Sequence, residues 1–376
     1  MSADLSPRER VRLALARQPT DRTPIALVCS GIRPAARRGL EAYLRRERGL
    51  TVEQYFEPLL DIQSVGPDYC GPRLSPGTDV WGVRRQAVSY GLGTYDEIQF
   101  YPLAQANTEA DIAAHRWPED GWFDYGSVRP KIAALDGQRE YCLMVANGNI
   151  FETSWFMRGL ENIMIDLATQ PDLAHAIFQR VTDFYVRYFT NLLQAAGGRI
   201  DLVFTADDIG GQNGLLMSLD MWQRHIKPYH TRLNRLIHEF GARVIYHSDG
   251  AVMAAVDGLV DMGIDILQPL QFDASGMDPE ALKKNYGARI GFQGGISVQN
   301  TLPFGTPADV AHEVHQRIAV LGKGGGYILG PSHMIQDGTP PENIVALFDT
   351  AAGIPGERAA VGASCPPVGF NGASGP

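Results

Sequence analysis

The sequence has few cysteines and no long apolar run, and each absence excludes a class of protein. Its four cysteines, Cys29, Cys70, Cys142 and Cys365, are far apart and form no CxxC pair, so neither a disulfide framework nor a cysteine zinc knuckle is indicated. No apolar run reaches the ~20 residues that cross a bilayer, and residues 1–24 lack the apolar stretch of a signal peptide. We therefore expect no membrane partner and a cytoplasmic location.

Blocks of basic residues are also missing. The chain has 33 Lys and Arg against 42 Asp and Glu, which gives a formal net charge of -9. Proteins that bind nucleic acid carry basic patches, so nucleic acid is not an expected partner and a small molecule is. This composition does not address self-association, and a homodimer stays open.

What the sequence does contain is an alternation of short apolar strands with amphipathic helices, clearest after residue 139. The predicted strands are 24–28, 141–146, 202–205, 244–247, 266–269, 290–293 and 327–329. The predicted helices are 7–18, 35–48, 52–56, 172–195, 219–240, 253–262, 279–286 and 307–322. Such alternation implies parallel strands joined by right-handed crossovers, and this many units predicts an α/β fold closed into a (β/α)₈ TIM barrel.

The length and composition predict one catalytic domain over residues 1–356. With 376 residues and 44% hydrophobic content, the chain can bury a large core and suits one barrel with insertions. Residues 30–137 are expected to hold cap-like insertions, including an antiparallel ribbon at 79–89. The tail at 357–376 is rich in Gly, Ala, Ser and Pro, and is predicted to be disordered.

Polar residues directly after predicted strands are the candidate site residues, because βα loops build the catalytic face of a barrel. His247 and Asp249 follow one strand, His333 follows the last strand, and Asp207 and Asp208 follow another. Two imidazoles and a carboxylate suit zinc with an open fourth position, or a non-heme iron centre. The spacing alone also fits hydrogen-bonded rim residues without a metal.

The adjacent acids Asp207 and Asp208 have two interpretations. They could cap the following loop at Gly210 and Gly211, or one could hold a proton near neutrality and act as a general acid or base. We expect one residue to do each job. The other histidines on predicted helices are interpreted as surface or packing residues; they are His175, His225, His230, His238, His312 and His315.

Several segments together resemble the uroporphyrinogen decarboxylase superfamily, and most closely its large branch of uncharacterised members. The segments are 151–159, 207–214, 225–228, 246–252, 292–299, 324–336 and 340–344. The superfamily contains porphyrinogen decarboxylases, which need no cofactor, and zinc-dependent methyltransferases that exchange methyl groups with a corrinoid protein. The resemblance supports a TIM barrel and leaves two activities to be separated.

Two local differences separate these activities. The decarboxylases carry an arginine-rich Met-Arg-Gln-Ala-Gly-Arg segment after the first strand, whereas residues 28–33 here read Val-Cys-Ser-Gly-Ile-Arg. Arg33, Arg37 and Arg38 lie close by in the sequence and could serve an anionic ligand. The methyltransferases use a His-x-Cys turn and a later cysteine, where this chain has His247-Ser248-Asp249 and Ser332-His333. The resemblance therefore implies a metal site with harder ligands.

The resemblance implies a Zn²⁺-dependent, corrinoid-linked methyltransferase or demethylase, with a corrinoid protein as partner. Its metal ligands would be His247, Asp249 and His333.

In the same scheme Glu152 would be a fourth ligand or a proton donor, and Arg158 would hold an anionic group or a neighbouring acid. Asp207 or Asp208 would orient the substrate or move a proton. One alternative is porphyrinogen decarboxylation, in which Asp207 stabilises a protonated pyrrole. Another is a non-catalytic ligand-binding barrel.

Overall fold

The strands form one large parallel sheet and two small antiparallel pairs. The computed structural model describes residues 5–28, 31–89, 91 and 93–354, and the predicted disordered tail lies outside them, as do Cys29 and Cys365. The strands of the described part are β1 Ile62–Ser64, β2 Asp68–Tyr69, β3 Arg84–Ser89, β4 Thr94–Phe100, β5 Phe123–Asp124, β6 Cys142–Asn149, β7 Leu202–Ala206, β8 Arg243–His247, β9 Ile266–Gln268, β10 Gly291–Ile296 and β11 Tyr327–Pro331.

The helices alternate with the strands in the second half of the chain. They are α1 Pro7–Leu15, α2 Pro34–Arg48, α3 Val52–Phe56, α4 Glu109–Ala114, α5 Val128–Asp136, α6 Phe151–Arg158, α7 Leu160–Thr169, α8 Pro171–Ala196, α9 Leu219–His225, α10 Lys227–Glu239, α11 Val256–Asp261, α12 Pro279–Tyr286, α13 Thr301–Phe304, α14 Pro307–Leu321 and α15 Pro341–Ala352. None of these described helices is long and apolar enough to cross a membrane.

The central sheet has seven strands in the order β1-β6-β7-β8-β9-β10-β11, and every neighbouring pair is parallel. The sheet is curled, with side chains from alternate positions packed on its two faces. On β7, for example, Leu202 and Phe204 pack in one hydrophobic cluster and Val203 packs in the other. Both faces are buried, as expected for parallel strands covered by helices. The predicted parallel α/β fold is confirmed.

The two edge strands of the sheet, β1 and β11, are both hydrogen-bonded to the segment that follows α1. Ile25 forms a parallel bridge with Leu329, and the amides of Ala26 and Leu329 donate to Leu329 O and Pro24 O, at 2.9 and 2.8 Å. On the other side, the amide of Asp61 donates to Ile25 O at 2.9 Å. The strand predicted at 24–28 is therefore reduced to a single bridge residue inside a hydrogen-bonded segment.

The long helix predicted at 219–240 is two helices. It breaks at Ile226, which caps both α9 and α10, and Pro228 lies in the first turn of α10. Proline lacks an amide hydrogen, so it suits the first turn of a helix and not the interior. The sequence predicts one apolar stripe along this helix, formed by Trp222, Ile226, Tyr229, Leu233, Leu236 and Phe240. In the structure Trp222, Ile226 and Leu233 are buried, and the other three are partly buried.

The antiparallel ribbon predicted at 79–89 begins inside that range and extends beyond it, to residue 100. It pairs β3 with β4, in a register that joins Ser89 to Thr94 and Arg84 to Phe100. This ribbon lies outside the central sheet, and most of its side chains are exposed.

Candidate metal centre and active site

The three predicted metal ligands come together at the carboxyl ends of the strands. His247 is the last residue of β8, and Asp249 follows in the loop, while His333 lies two residues beyond β11. One ligand atom from each lies within 4.8 Å of the others. His247 Nε2 is 3.7 Å from Asp249 Oδ1, and His333 Nε2 is 3.6 Å from Asp249 Oδ2. The arrangement offers two imidazoles and a carboxylate.

This donor set fits a divalent cation such as zinc. Asp249 Oδ1 is a buried carboxylate oxygen with no hydrogen-bond partner among the described residues. A buried carboxylate oxygen is costly unless it is paired or coordinates a metal. Two imidazoles and one carboxylate also leave room for a fourth ligand in a tetrahedral zinc site. Burial first, and then the charge of Asp208, raise the pKa of Asp249.

The ring of His247 is buried and held between two strands. Its Nδ1 lies 2.5 Å from Gln268 Oε1, and its Nε2 lies 3.4 Å from Asp208 Oδ1. Burial alone would raise the pKa of Asp208, but hydrogen bonding to His247 and the charge of that ring hold it below its usual value. His247 thus faces two carboxylates, those of Asp208 and Asp249.

A cavity of about 500 Å³ opens beside these residues. Its wall combines apolar side chains with carboxylates, amides and imidazoles. The lining residues are Leu27, Val28, Gly31, Ser64, Met144, Ala146, Asn147, Asn149, Glu152, Phe204, Ala206, Asp208, His247 and His333. No lysine or arginine lines the cavity within the described part of the chain. The described part of the wall therefore offers an anionic ligand no lysine or arginine side chain.

Glu152 reaches the cavity from the first turn of α6. Burial, followed by the charges of Asp208 and Asp207, raises its pKa to about 8. Asn149 donates its amide hydrogen to Glu152 Oε2 at 2.8 Å. A carboxyl group with this pKa keeps its proton at neutral pH, so Glu152 can act as a general acid.

The adjacent acids at the end of β7 face different surroundings. Asp207 is fully buried, and its two oxygens accept the amide hydrogens of Phe151 and Glu152, each at 2.8 Å. It also pairs with His230, a buried helical histidine. Asp208 instead lines the cavity. Asp207 thus caps the start of α6, and not the loop at Gly210 and Gly211 as the sequence predicts. Asp208 is the acid that lines the cavity, but its lowered pKa does not match the expectation of an acid that holds a proton near neutrality.

Arg158 is held away from the cavity. Its Nε and Nη2 donate to the carboxylate of Asp166 at 2.8 and 3.2 Å, and its Nη1 donates to the carbonyls of Leu103 and Ala104. The resemblance implied that Arg158 would hold either an anionic group or a neighbouring acid. In the structure it holds a neighbouring acid, Asp166. Arg158 is not among the cavity-lining residues, so a direct role with substrate has no support in this geometry.

The arginines that follow the segment at 24–28 also contact other parts of the chain. Arg33 donates to Thr94 O on the ribbon, and Arg37 pairs with Glu53. None of Arg33, Arg37 and Arg38 lines the cavity. The expectation that they could serve an anionic ligand there is not supported by their positions.

Sequence reasoning missed several polar residues of the site. Ser64, Asn147 and Asn149 line the cavity, and Gln268 contacts His247. Asn147 directly follows the strand predicted at 141–146, so the rule that selected His247 could have found it. Gln268 lies inside the strand predicted at 266–269, and Asn149 lies three residues beyond the strand predicted at 141–146. Ser64 could be found only if the short strand β1, which ends at this residue, had been predicted.

Comparison with known proteins places these features in a family. A family model described as uroporphyrinogen decarboxylase (URO-D) matches residues 128–354, which is more than half of the chain. The chain belongs to the uroporphyrinogen decarboxylase family. The matched residues include β6 to β11 and the three candidate metal ligands. The family resemblance seen in the sequence motifs is confirmed.

Within this family the chain is related to a methyltransferase. It is 28% identical to the methylated-thiol–coenzyme M methyltransferase of Methanosarcina mazei over 196 residues, 52% of this chain and 49% of that protein. The chain thus spans about half the length of this curated relative. A solved methyltransferase structure from Methanosarcina mazei matches 93% of this chain and 99% of its own, with 17% identity and a TM-score of 0.63. That likeness supports the shared fold.

Proposed function

We propose that this uroporphyrinogen decarboxylase family member is a zinc-dependent methyltransferase. It would exchange a methyl group between a small molecule and a corrinoid carried by a partner protein. The observation that carries the proposal is the convergence of His247, Asp249 and His333 beside the cavity. The 28% identical methyltransferase supports methyl transfer over other chemistry.

His247, Asp249 and His333 would hold the ion. When bound, zinc supplies a Lewis acid that polarises the oxygen or sulfur carrying the methyl group. Glu152 would then give a proton to that atom as the methyl group passes to the corrinoid, because its burial beside Asp207 and Asp208 favours the protonated form. Asp208 would orient the substrate, and the apolar side chains of Met144 and Phe204 would exclude water.

We also propose that the fold is a closed eight-stranded barrel. The segment at 24–28 would act as the remaining strand, since its backbone hydrogen-bonds to Leu329 on β11 and to Asp61 beside β1. Closure of this kind would place His247 and His333 on one rim and hold the cavity at its mouth.

Metal content and methyl transfer together test the proposed function. Purified protein supplied with zinc should hold about one ion per chain, because three ligands and an open position are typical of a catalytic site. Methyl transfer to or from a corrinoid should be lost, together with the ion, in His247→Ala and His333→Ala. His315→Ala is the matched control, because His315 is exposed on α14, away from the cavity. Less than a tenth of an equivalent of metal in the wild type would contradict the metal assignment.

Porphyrinogen decarboxylation is the second candidate, suggested by the family. Uroporphyrinogen carries several carboxylates, and no lysine or arginine of the described residues lines the cavity. Each uncompensated carboxylate costs a few kcal/mol, so we expect no significant turnover. Incubation with anaerobically reduced uroporphyrin and chromatography of the products measures this. Coproporphyrinogen formed at many turnovers per minute would place decarboxylation first, and ligand binding without either activity would favour a non-catalytic barrel.

A further inference from the structure

We infer that Gln268 is a positioning residue that fixes the ring of His247 with a proton on Nδ1. This orientation presents Nε2 to Asp208, Asp249 and the cavity. The inference rests on the proposed function, because it gives Gln268 a role toward the ion that His247 would hold.

The position of Gln268 follows from the register of the sheet. His247 on β8 is the direct parallel partner of Gln268 on β9, and both are buried. Neighbouring residues at the same register point to the same face of a sheet, so the two side chains lie side by side. The 2.5 Å distance between His247 Nδ1 and Gln268 Oε1 makes this a short hydrogen bond.

The chemistry of the amide determines the tautomer. An amide oxygen only accepts hydrogen bonds, so Nδ1 must carry the proton that it donates to Gln268. The Nε2 atom, which lies 3.4 Å from Asp208 Oδ1, then has the lone pair needed by a metal once it has lost any proton that it donates to this carboxylate. If the amide were turned, its NH₂ group would donate to an unprotonated Nδ1, and the neutral ring would carry its proton on Nε2. The orientation of one amide therefore decides whether His247 can be a ligand through Nε2.

Gln293 provides a matched control on the next strand. It is fully buried on β10, like Gln268, but neither its Oε1 nor its Nε2 has a hydrogen-bond partner among the described residues. It makes no described contact with His247. Replacing either glutamine by methionine removes the same polar group and keeps a side chain of similar length. A general effect of losing a buried amide would appear in both variants, and a positioning effect only in Gln268→Met.

Nitrogen NMR tests the tautomer directly. The ¹⁵N shifts of the His247 ring, assigned by the loss of its signals in His247→Ala, report which nitrogen carries a proton. We expect a protonated Nδ1 in the metal-free and the zinc-loaded protein. An unprotonated Nδ1 in either form would overturn the inference. In Gln268→Met the metal-free ring should lose its preference for Nδ1, while Gln293→Met should keep the wild-type signature.

Zinc affinity, measured by competition with a chelator, tests whether the contact with Gln268 orients His247 for metal binding. Loss of the group that orients a metal-bound histidine typically weakens binding about 10–100-fold, and we expect this for Gln268→Met. Gln268→Glu should keep the wild-type affinity, because a carboxylate also accepts from Nδ1. Gln293→Met should keep it as well. Equal weakening in the two methionine variants, or no weakening in Gln268→Met, would contradict a positioning role.

These measurements separate the inference from the proposed function. If the wild type holds no zinc, the proposed function fails, and the proton on Nδ1 of the metal-free protein still decides the role of Gln268. If the protein binds zinc and transfers methyl groups while Nδ1 is unprotonated, the inference alone is overturned. Circular dichroism of each variant confirms that the comparisons are made on folded protein.

Discussion

Asp207 and Asp208 are neighbours in the chain, but their carboxylates have different environments. Asp207 accepts two amide hydrogens at the start of α6 and pairs with His230, in a region closed to solvent. It therefore holds the backbone of the turn that carries Glu152. Asp208 lines the cavity and accepts one amide hydrogen, from Asp249 at 2.7 Å. The hydrogen-bond partners of each carboxylate, and not the residue type, therefore determine which of the two acids stabilises the fold.

We predict that alanine substitutions will separate these two roles. Asp207→Ala leaves buried donors without an acceptor and should lower the free energy of unfolding by about 3–5 kcal/mol. Asp208→Ala loses the hydrogen bond from the amide of Asp249 and the longer contact with His247, and should cost about 1–2 kcal/mol, while it lowers the rate of methyl transfer. Urea denaturation followed by circular dichroism gives the first quantity, and a corrinoid methylation assay gives the second. Similar destabilisation by both substitutions would contradict the assignment.

The location of a side chain could be predicted from the sequence where its position after a strand is enough to place it at the site. His247 and His333 follow strands, so their meeting at one edge of the sheet follows from parallel pairing. The partners of Asp207 and His247 were not predictable in this way. His230 lies on a helix whose apolar stripe indicates burial but does not say which strand end it contacts. Gln268 ends a strand, but its contact with His247 depends on the register between β8 and β9.

At the scale of elements, Asp61 joins three parts of the chain. It is fully buried directly before β1. Its oxygens accept from Arg10 on α1 at 2.6 Å, from Arg22 at 2.7 Å, and from the amide of Ile25 at 2.8 Å. The first helix and the segment beside β11 are thereby fixed to the first strand of the sheet.

We predict that Asp61→Ala will lower the free energy of unfolding by about 3–5 kcal/mol, because it leaves the buried Arg10 without one of its partners. Asp183→Ala is the control, since Asp183 forms a partly exposed pair with Arg232 that should contribute at most about 1 kcal/mol. Chemical denaturation of both variants measures the difference. Equal losses would mean that Asp61 has no special role in joining these elements.

The contact between Arg10 and Asp21 gives a prediction for acid conditions. Hydrogen bonding to Arg10 lowers the pKa of Asp21 from 3.8 to about 2. A carboxylate with a lowered pKa in the folded state contributes stability above its ordinary pKa, and this contribution is lost as the pH falls toward 2. The difference in unfolding free energy between the wild type and Asp21→Asn should therefore shrink between pH 4 and pH 2. Denaturation curves across that range measure it, and a constant difference would contradict the assignment.

The elements themselves were predicted unevenly, for physical reasons. Long amphipathic helices such as α8 show their period over many residues, and the capping box of Ser6 and Glu9 marks the start of α1. The strand β1 has three residues, which is too few to show an alternating pattern. The short helices α6 and α7 meet at Gly159, whose φ of 92° divides one apolar stretch in two.

For the whole molecule, the central feature is the segment that lies between the two edges of the curled seven-stranded sheet. Residues 24–26 hydrogen-bond to Leu329 on one edge, and Ile25 accepts the amide of Asp61 on the other. Parallel pairing across the sheet was predictable from the alternation of strands and helices. The sequence could not predict that the strand expected at 24–28 is reduced to a single bridge. An apolar run indicates burial but does not indicate how many regular backbone hydrogen bonds the segment will form.

We predict that the amides of Ala26, Asp61 and Leu329 will exchange with solvent as slowly as those at the centre of β8. In the proposed closed barrel their hydrogen bonds join the two edges of the sheet, so they should open only with the sheet itself. Site-resolved hydrogen exchange measures this, with the exposed ribbon of β3 and β4 as the fast reference. Rapid exchange at Ala26 and Leu329 would mean that the sheet is open at this edge.

The candidate metal ligands are contributed by β8, its following loop and the residues just after β11, the last strand of the sheet. During synthesis on the ribosome, His247 and Asp249 therefore emerge well before His333. A nascent chain can offer only two of the three ligands until almost the whole sheet has been made. Tight retention of an ion would then require that β11 has been made and has joined the sheet.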